Sequence, residues 1–317
     1  MSEKPIVVVG SINIDLVTHV ERIPMRGETL PGWDFETHPG GKGANQAAAV
    51  ARLGYPVAMI GSVGSDAFGD ELRQSLADAG VDTSAIAASK GPTGTAMILV
   101  QPAGDNSIVV TPGANALLSP DDLDAQLDLL RGAAMVLTQL EISTATVEHL
   151  AAICARAGVP LMLDPAPARD LSATMWRNLS WITPNDTEAR QLCGMITAAS
   201  ECEPTATIEA LHALGARNVA LKLGRHGAYL GTQDGLRERV PAFAVNATDT
   251  TAAGDAFNGA FAVALARGVD PRQAARFAVA AAAVSVTRRG ALPSMPTQAD
   301  VTKFMEEHLR ENQELTR

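Results

Sequence analysis

Along this chain, short runs of β-branched and other apolar residues alternate with longer segments rich in Ala and Leu. "PIVVVG" (5–10) is apolar without a polar partner at every second position, the pattern of a strand buried on both faces. "KGANQAAAVARLG" (42–54) predicts a helix closed by Gly54. "VAMIGSVG" (57–64) predicts a second buried strand and "FGDELRQSLADAG" (68–80) a second helix. The same alternation returns in "AAMVLTQL" (133–140), "TATVEHLAAICARAG" (144–158), "VPLMLDPAP" (159–167) and "NVALKLG" (218–224). Apolar strands alternating with amphipathic helices predict an α/β fold, a mostly parallel sheet flanked by helices on both faces.

Two stretches break the rhythm. "DLVTHVERIPMRGETLPGWDFETHPGG" (15–41) and "TGTAMILVQPAGDNSIVVTPGANA" (93–116) carry period-two patterning and read as hairpins or ribbons inserted between elements of the main sheet. Together they predict a small β lid, from about 15–40 and 93–113, over the carboxyl edge of that sheet. "DVTKFMEEHLRENQELTR" reads as a charged terminal helix. No repeat or low-complexity linker divides the chain, so residues 1–317 are expected to form one α/β domain carrying its lid.

A chain of 317 residues buries roughly three-quarters of its unfolded surface, enough for such a core. The balance of 25 Lys and Arg against 35 Asp and Glu gives a net charge of −10, and aromatics make up only 4%. A nucleic-acid partner would ask for a basic face and stacking platforms, so none is expected. A nucleotide remains compatible, because screening over about 8 Å lets local amides and one cation outweigh distant charges. Cys154, Cys193 and Cys202 form no CxxC pair and stand apart from any His cluster, as free thiols in a reducing compartment do. The start of the chain lacks the pattern of a secretion signal, and "TAAGDAFNGAFAVALA" and "FAVAAAAVSV" are too short or too polar to span a bilayer. A cytoplasmic protein with no membrane partner is expected.

Neither G-x-G-x-x-G nor G-x-x-x-x-G-K-[ST] occurs, so a phosphate-binding loop of another kind has to be sought. In "GSINIDL" (10–16), directly after the first strand, Asn13 and Asp15 are two apart in extended chain and face the same way. A carboxamide beside a carboxylate suits neighbouring sugar hydroxyls; an Asn/Asp turn ending a strand is the plainer reading. In "PGGKGANQA" (39–47), Gly40, Gly41 and Gly43 allow close backbone approach, and Lys42 and Asn45 bring polar ends to a helix N-terminus, where a flexible helix entry is the alternative. "TPNDTEA" (183–189) places Asn185 and Glu188 on one helical face, either to orient waters around a hard cation or simply to start a helix. "KLGRHG" (222–227) approaches a nucleotide through its glycines or is a hairpin turn.

"DTTAAGDAFNGA" (249–260) sets a carboxylate directly after three small residues, where a turn becomes a helix. The amides of Ala252, Ala253 and Gly254 form a candidate anion hole at the helix N-terminus, with Asp255 at its edge as a candidate base. Phosphoryl transfer asks mainly for positioning and charge stabilisation. An ionised carboxylate within reach suffices, so the role requires no large pKa shift of Asp255.

Taken together, "GSINIDL", "PGGKGANQA", "DPAPARDL", "TPNDTEA", "ATDTTAAGDAFNGA" and "VTRRGALPSMP" resemble, in order and spacing, the PfkB carbohydrate kinase family and within it the kinases of D-ribose. The resemblance runs from about residue 5 to 305 and implies a ribokinase-like α/β fold. It implies that Asp255 is the catalytic base, with Ala252, Ala253 and Gly254 as anion hole. It assigns Ser11, Asn13, Asp15, Gly41, Lys42, Asn45 and Glu141 to the sugar. Asn185, Lys222, Gly224, Arg225, Gly227 and Gly254 fall to ATP, with Val279 near the adenine edge. Glu188 is tied to Mg²⁺, and Asp249, Thr251, Ser285, Arg288, Gly290 and Ser294 frame a K⁺ site, largely through backbone oxygens. The implied reaction is ATP-dependent phosphorylation of the 5-hydroxyl of D-ribose. Deoxyribose, a ketose, adenosine or pseudouridine are alternative acceptors, and a non-catalytic sugar-binding protein is the alternative of another class. The exposed edge of a β lid motivates a homodimer.

Overall fold

The structure, a computed structural model, describes residues 3–102, 105–195 and 203–315, the last five in backbone only. Cys202, residues 103–104 of the second insertion and both ends of the chain lie outside the described residues.

Thirteen strands are found among the described residues. Nine form the main sheet: β1 (Ile6–Val9), β4 (Val57–Gly64), β5 (Ile86–Ser89), β8 (Met135–Gln139), β9 (Leu161–Asp164), β10 (Trp181–Ile182), β11 (Val219–Lys222), β12 (Ala228–Gly231) and β13 (Arg237–Val240). Their spatial order is β13-β12-β11-β10-β9-β8-β1-β4-β5. All neighbours from β11 to β5 pair in parallel, and β12 and β13 add an antiparallel edge.

Burial of both faces explains the unbroken apolar strands. In β1, Ile6 and Val8 point into one core and Val7 and Val9 into the other. The first core is covered by α1 (Lys42–Arg52), α2 (Ala67–Asp78), α9 (Ala253–Ala266), α10 (Pro271–Ser285) and α11 (Gln298–Leu315). The second is covered by α3 (Pro120–Asp124), α4 (Leu127–Gly132), α5 (Thr144–Ala157), α6 (Ala173–Asn178), α7 (Asp186–Leu192) and α8 (Pro204–Ala213).

The remaining strands, β2 (Asn13–His19), β3 (Trp33–Gly40), β6 (Gly94–Val100) and β7 (Asn106–Thr111), form a separate sheet in the order β3-β2-β6-β7. Each insertion supplies one antiparallel pair, and β2 joins β6 in parallel. The sheet is rooted where Asn13 pairs with both Gly40 and Gly94, all three buried, while its outer strand β7 is exposed throughout.

Candidate active site

Along the main sheet the carboxyl ends carry a row of polar or charged positions: β1 runs into Ser11, β8 ends in Gln139, β9 in Asp164 and, beyond the short β10, β11 in Lys222. Successive parallel strands lie on opposite sides of β1, with β4 on one flank and β8 on the other, so a crevice opens at the carboxyl ends there.

Above that crevice sits the head of α9. Its N-cap is Ala252, held in the left-handed region at φ 57° with no side chain capping the helix. A Ser or Asp cap would have covered the first amides. Among the described residues, the N–H groups of Ala252, Gly254 and Asp255 meet no acceptor, whereas Ala253 donates to the Thr250 carbonyl at 3.3 Å. The uncovered amides therefore include that of Asp255 itself, and Ala253 is less free than the sequence suggested.

The Asp255 side chain is only 4% exposed and accepts two hydrogen bonds, from Asn45 Nδ2 at 3.1 Å and Gln46 Nε2 at 3.0 Å. Burial pushes its pKa up to about 6, with Asp164 also raising it and Lys42, Gln46 and Asn45 opposing. The role of base requires no such shift; the shift follows from the depth at which α1 and α9 bury the group. For Lys42, burial alone would lower the ammonium's pKa, but the charges of Asp255, Asp164, Glu141 and Glu188 outweigh it and hold the group protonated. Lys42 thus faces carboxylates of both ends of the crevice.

On the side of the small sheet, Ser11 Oγ donates to Glu141, which also accepts from the Lys42 amide at 3.1 Å. Gly41 adopts φ 91°, and a Cβ there would stand 2.7 Å from the Asn13 amide. Asn13 Oδ1 accepts from Asn115 Nδ2 at 2.7 Å, and Asn115 in turn clamps both backbone groups of Ile12. The Asp15 pKa is pushed up to about 6 by burial first and by Glu141 next, with His38 opposing. Ser11, Asn13, Asp15, Gly41, Lys42, Asn45 and Glu141 thus lie around one end of the crevice.

At the other end a cleft of about 460 Å³ runs from Gly254 and Lys222 to Phe243 and Val279, with Gly224, Arg225 and Gly227 in its wall. Gly227, at φ 88°, is needed by the β11–β12 hairpin itself: a Cβ would lie 2.1 Å from the Val240 carbonyl. Asn185 caps α7 in a reciprocal box with Glu188, giving and receiving backbone hydrogen bonds at 2.8 Å. The helix-start reading of "TPNDTEA" therefore accounts for its backbone. Glu188, half-buried, also has a pKa raised by burial, with the charge of Lys222 opposing.

The loops before α9 and after α10 meet at Asp249. Its carboxylate accepts the amides of Thr251 at 2.9 Å and Gly290 at 2.8 Å, and these bonds hold it below the usual carboxylate range against the opposing effect of burial. Ser285 and Ser294, both buried, share a hydroxyl hydrogen bond of 2.9 Å. The Arg288 side chain turns away to Asp300 at 3.1 Å, so only its backbone is left for the frame. Among the described residues the carbonyls of Thr251, Gly290 and Ser294 receive no amide proton.

Residues 3–298 match the model of the pfkB family carbohydrate kinases. The chain belongs to the pfkB carbohydrate kinase family. It is 40% identical to a ribokinase of Haemophilus influenzae, over 96% of this chain and 99% of that one, and 36% identical to a deoxyribokinase of Salmonella typhi, over 95% and 98%. The structure of Arabidopsis thaliana ribokinase complexed with ribose and ATP superposes with a TM-score of 0.87 at 37% identity, covering 96% of this chain and 99% of that one.

In this pfkB-family kinase the side chains that tie the two ends of the crevice together were not singled out from the sequence. Gln46 donates from Nε2 to both Asp255 and Asp164, the latter at 3.1 Å, and its own oxygen accepts from Gln139 at 2.7 Å. Asp164 also holds Lys222 Nζ at 2.8 Å. Asp164 ends a fully apolar strand immediately before a proline, and a carboxylate at the carboxyl end of a parallel strand is the signal that would have found it.

Proposed function

We propose that this kinase is a ribokinase, transferring the γ-phosphoryl group of ATP to the 5-hydroxyl of D-ribose. The observation that carries the reading is the pairing, at the head of α9, of uncovered amides with one buried carboxylate aimed by Asn45 and Gln46. With a pKa of about 6, Asp255 is ionised at neutral pH yet basic enough to take the proton of an attacking hydroxyl. The amides of Ala252, Gly254 and Asp255 face the negative charge of the phosphoryl oxygens as it redistributes. Asn45 Oδ1, buried and unpartnered among the described residues, is an acceptor for a second hydroxyl of the sugar. Asn13, Asp15, Ser11 and Glu141 complete a polar pocket suited to a polyol. The small sheet serves as a lid over that pocket, so that water does not compete as nucleophile.

The apolar cleft past Gly254 suits the adenine of ATP, with Phe243 and Val279 in its lining. Among the described residues no cluster of three or more His, Cys, Asp or Glu stands ready as a metal cage. The side-chain oxygens of Asn185 and Glu188, held together at the start of α7, fit Mg²⁺ that arrives on the phosphates and keeps its waters, which the pair would orient. Bound Mg²⁺ would supply charge neutralisation of the phosphates. For K⁺, the ionised Asp249 and the unengaged carbonyls of Thr251, Gly290 and Ser294 form a donor set of hard oxygens, and the cation would stiffen the turn that presents the α9 amides. The protein is further proposed to act as a homodimer through its lid, in the cytoplasm.

The relative named deoxyribokinase gives a second reading, with deoxyribose as acceptor. ADP release from ATP and Mg²⁺, measured with ribose, deoxyribose, fructose, adenosine and pseudouridine, tests both. Ribose as the best acceptor is the expected result. Preference for another acceptor moves the substrate assignment while keeping the mechanism, and silence across the panel overturns the kinase reading in favour of a sugar-binding protein.

A further inference from the structure

One wall of the apolar cleft comes from a single irregular segment. Ala242, Phe243, Ala244, Val245 and Ala247 line the cleft from residues 241–247, which follow β13 without regular structure. Among the described residues the backbone of this segment makes one hydrogen bond: the Pro241 carbonyl accepts from Arg276 Nη1 at 2.9 Å. The same guanidinium lies 3.7 Å over the centroid of the Phe243 ring. Phe304 and His308 of α11 meet that ring edge-on, with centroids 5.1 and 5.3 Å away.

Arg276 is half-buried on α10. One turn earlier Arg272 is paired with Glu238, but Arg276 meets no carboxylate among the described residues, and burial lowers its pKa with nothing opposing. A cation taken partly out of water without a counter-charge costs free energy, and the face of an aromatic ring recovers only part of it. What the arrangement accomplishes is a tether: one planar group grips a backbone carbonyl and, two residues on, a side-chain ring. Arg276 is not itself part of the cleft lining, but Val279, three residues on along the same face of α10, is. The spacing between α10 and the irregular segment is therefore held by Arg276.

We propose that Arg276 is a positioning residue for the nucleotide base: by tying Pro241 and Phe243 to α10, it sets the width of the slot between residues 241–247 and Val279. A flat purine gains its contacts only if that width is fixed before it enters, because ordering a loose segment on binding would be charged against its affinity. Phe304 and His308 back the same ring, so α11 shares in holding the wall although it contributes no residue to the lining. The inference rests on the placement of adenine in this cleft given above.

The test titrates adenosine, ATP and inorganic tripolyphosphate into the full-length wild type and into R276M, R276Q, R276K and F243L, alongside ribose-dependent ADP release. The expected result is that R276M binds adenosine and ATP about fivefold or more weakly while tripolyphosphate binds unchanged, and that KM for ATP rises with KM for ribose in place. R276K is expected to recover part of the loss, since an ammonium keeps a cation near the ring without the planar fork. A merely structural role would lower the melting temperature and raise both KM values together. If R276M fails to fold, R276Q, which also lacks the charge, carries the same comparison. F243L checks the placement on which the proposal rests. Weaker adenosine binding in F243L, with R276M or R276Q within about twofold of wild type, overturns the role of Arg276 and leaves the placement standing. Unchanged adenosine binding in F243L overturns the placement of adenine and the proposal with it. A wild type that releases no ADP with any sugar refutes the kinase reading instead, and the adenosine titrations still decide the role of Arg276.

Discussion

Asn45 Nδ2 lies 3.1 Å from Asp255 Oδ2, and four residues further along both helices Ala49 lies against Gly259. A Cβ on Gly259 would stand 2.5 Å from the Ala49 Cβ, so α1 and α9 touch at a distance that only small residues permit. The runs of Ala and Gly in both helices are thus the reason that a short carboxamide can reach the carboxylate one turn nearer the helix heads. Packing and candidate chemistry here share one cause.

Gly259→Val is therefore expected to do two things. Overpacking the crossing costs about 2 kcal/mol of stability, and separating the helices lengthens the Asn45 and Gln46 bonds to Asp255. Thermal melting and turnover should fall together. Full turnover with unchanged melting would mean that the crossing does not set the site.

Asp255 gives a pH dependence with a definite sign. As base it must be ionised, so kcat/KM is expected to rise with pH through about 6 and level off above it. Asp255→Asn removes the base and reduces turnover by about 10³-fold or more. Stability runs the other way. A carboxyl whose folded pKa of about 6 exceeds its ordinary 3.8 favours the folded state at low pH, and that contribution is lost as pH rises through this window. Between pH 4 and pH 7 the stability of D255N relative to wild type should shift in the variant's favour by about 1–3 kcal/mol. Denaturant unfolding at the two pH values checks it; a difference independent of pH would show that the carboxyl titrates normally.

Much of this was legible in the chain. The alternation of apolar runs with Ala-rich segments gives the main sheet and its covering helices, because strand burial on both faces leaves no polar positions in between. The two period-two insertions give the small sheet. What the pattern could not carry is distance across the sequence. Gln46 and Asp164 are 118 residues apart, and nothing local says that they meet. Nor does local pattern tell that Arg288 spends its side chain on Asp300, or that Ala253 gives its amide partly to Thr250. The unusual N-cap, alanine in place of a capping side chain, was visible and marked the head of α9. The burial of its carboxylate depends on helix packing and was not visible.

Asp15 is the second carboxyl with a pKa of about 6, raised by burial and by Glu141. If its ionised form accepts a sugar hydroxyl, that bond is worth about 1.5–3 kcal/mol. Asp15→Asn is then expected to raise KM for ribose about 10–100-fold with a smaller effect on KM for ATP. In the wild type, KM for ribose should climb as pH falls below about 6. Steady-state kinetics in both substrates reads this, and equal changes in the two KM values would remove Asp15 from the sugar pocket.

Asp249 offers a test of the proposed cation frame. Replacing K⁺ in the buffer by a bulky organic ammonium at equal ionic strength is expected to lower wild-type turnover, and restoring K⁺ to recover it. Asp249→Ala deletes the ionised oxygen of the frame and also frees the Thr251 and Gly290 amides it accepts, so the variant should lose its response to K⁺. A wild type indifferent to K⁺ would leave the Asp249 bonds a purely structural clasp between the two loops.

The small sheet predicts an assembly. Its outer strand β7 is exposed throughout, with Ile108, Val109 and Val110 at 53, 62 and 47% exposure, and Phe35 on β3 is exposed as well. An open edge strand carrying consecutive apolar side chains is a template for pairing with another copy. Covering such a patch on a second chain would bury apolar surface that a monomer leaves in water. Light scattering is therefore expected to give twice the 33.0 kDa chain mass, and Val109→Lys, which disturbs no buried contact within the chain, to shift the protein towards monomer without lowering its unimolecular melting step. A wild-type mass at the monomer value across concentrations would refute the dimer, and the exposed strand would then owe its apolar residues to contacts made within the lid on closure.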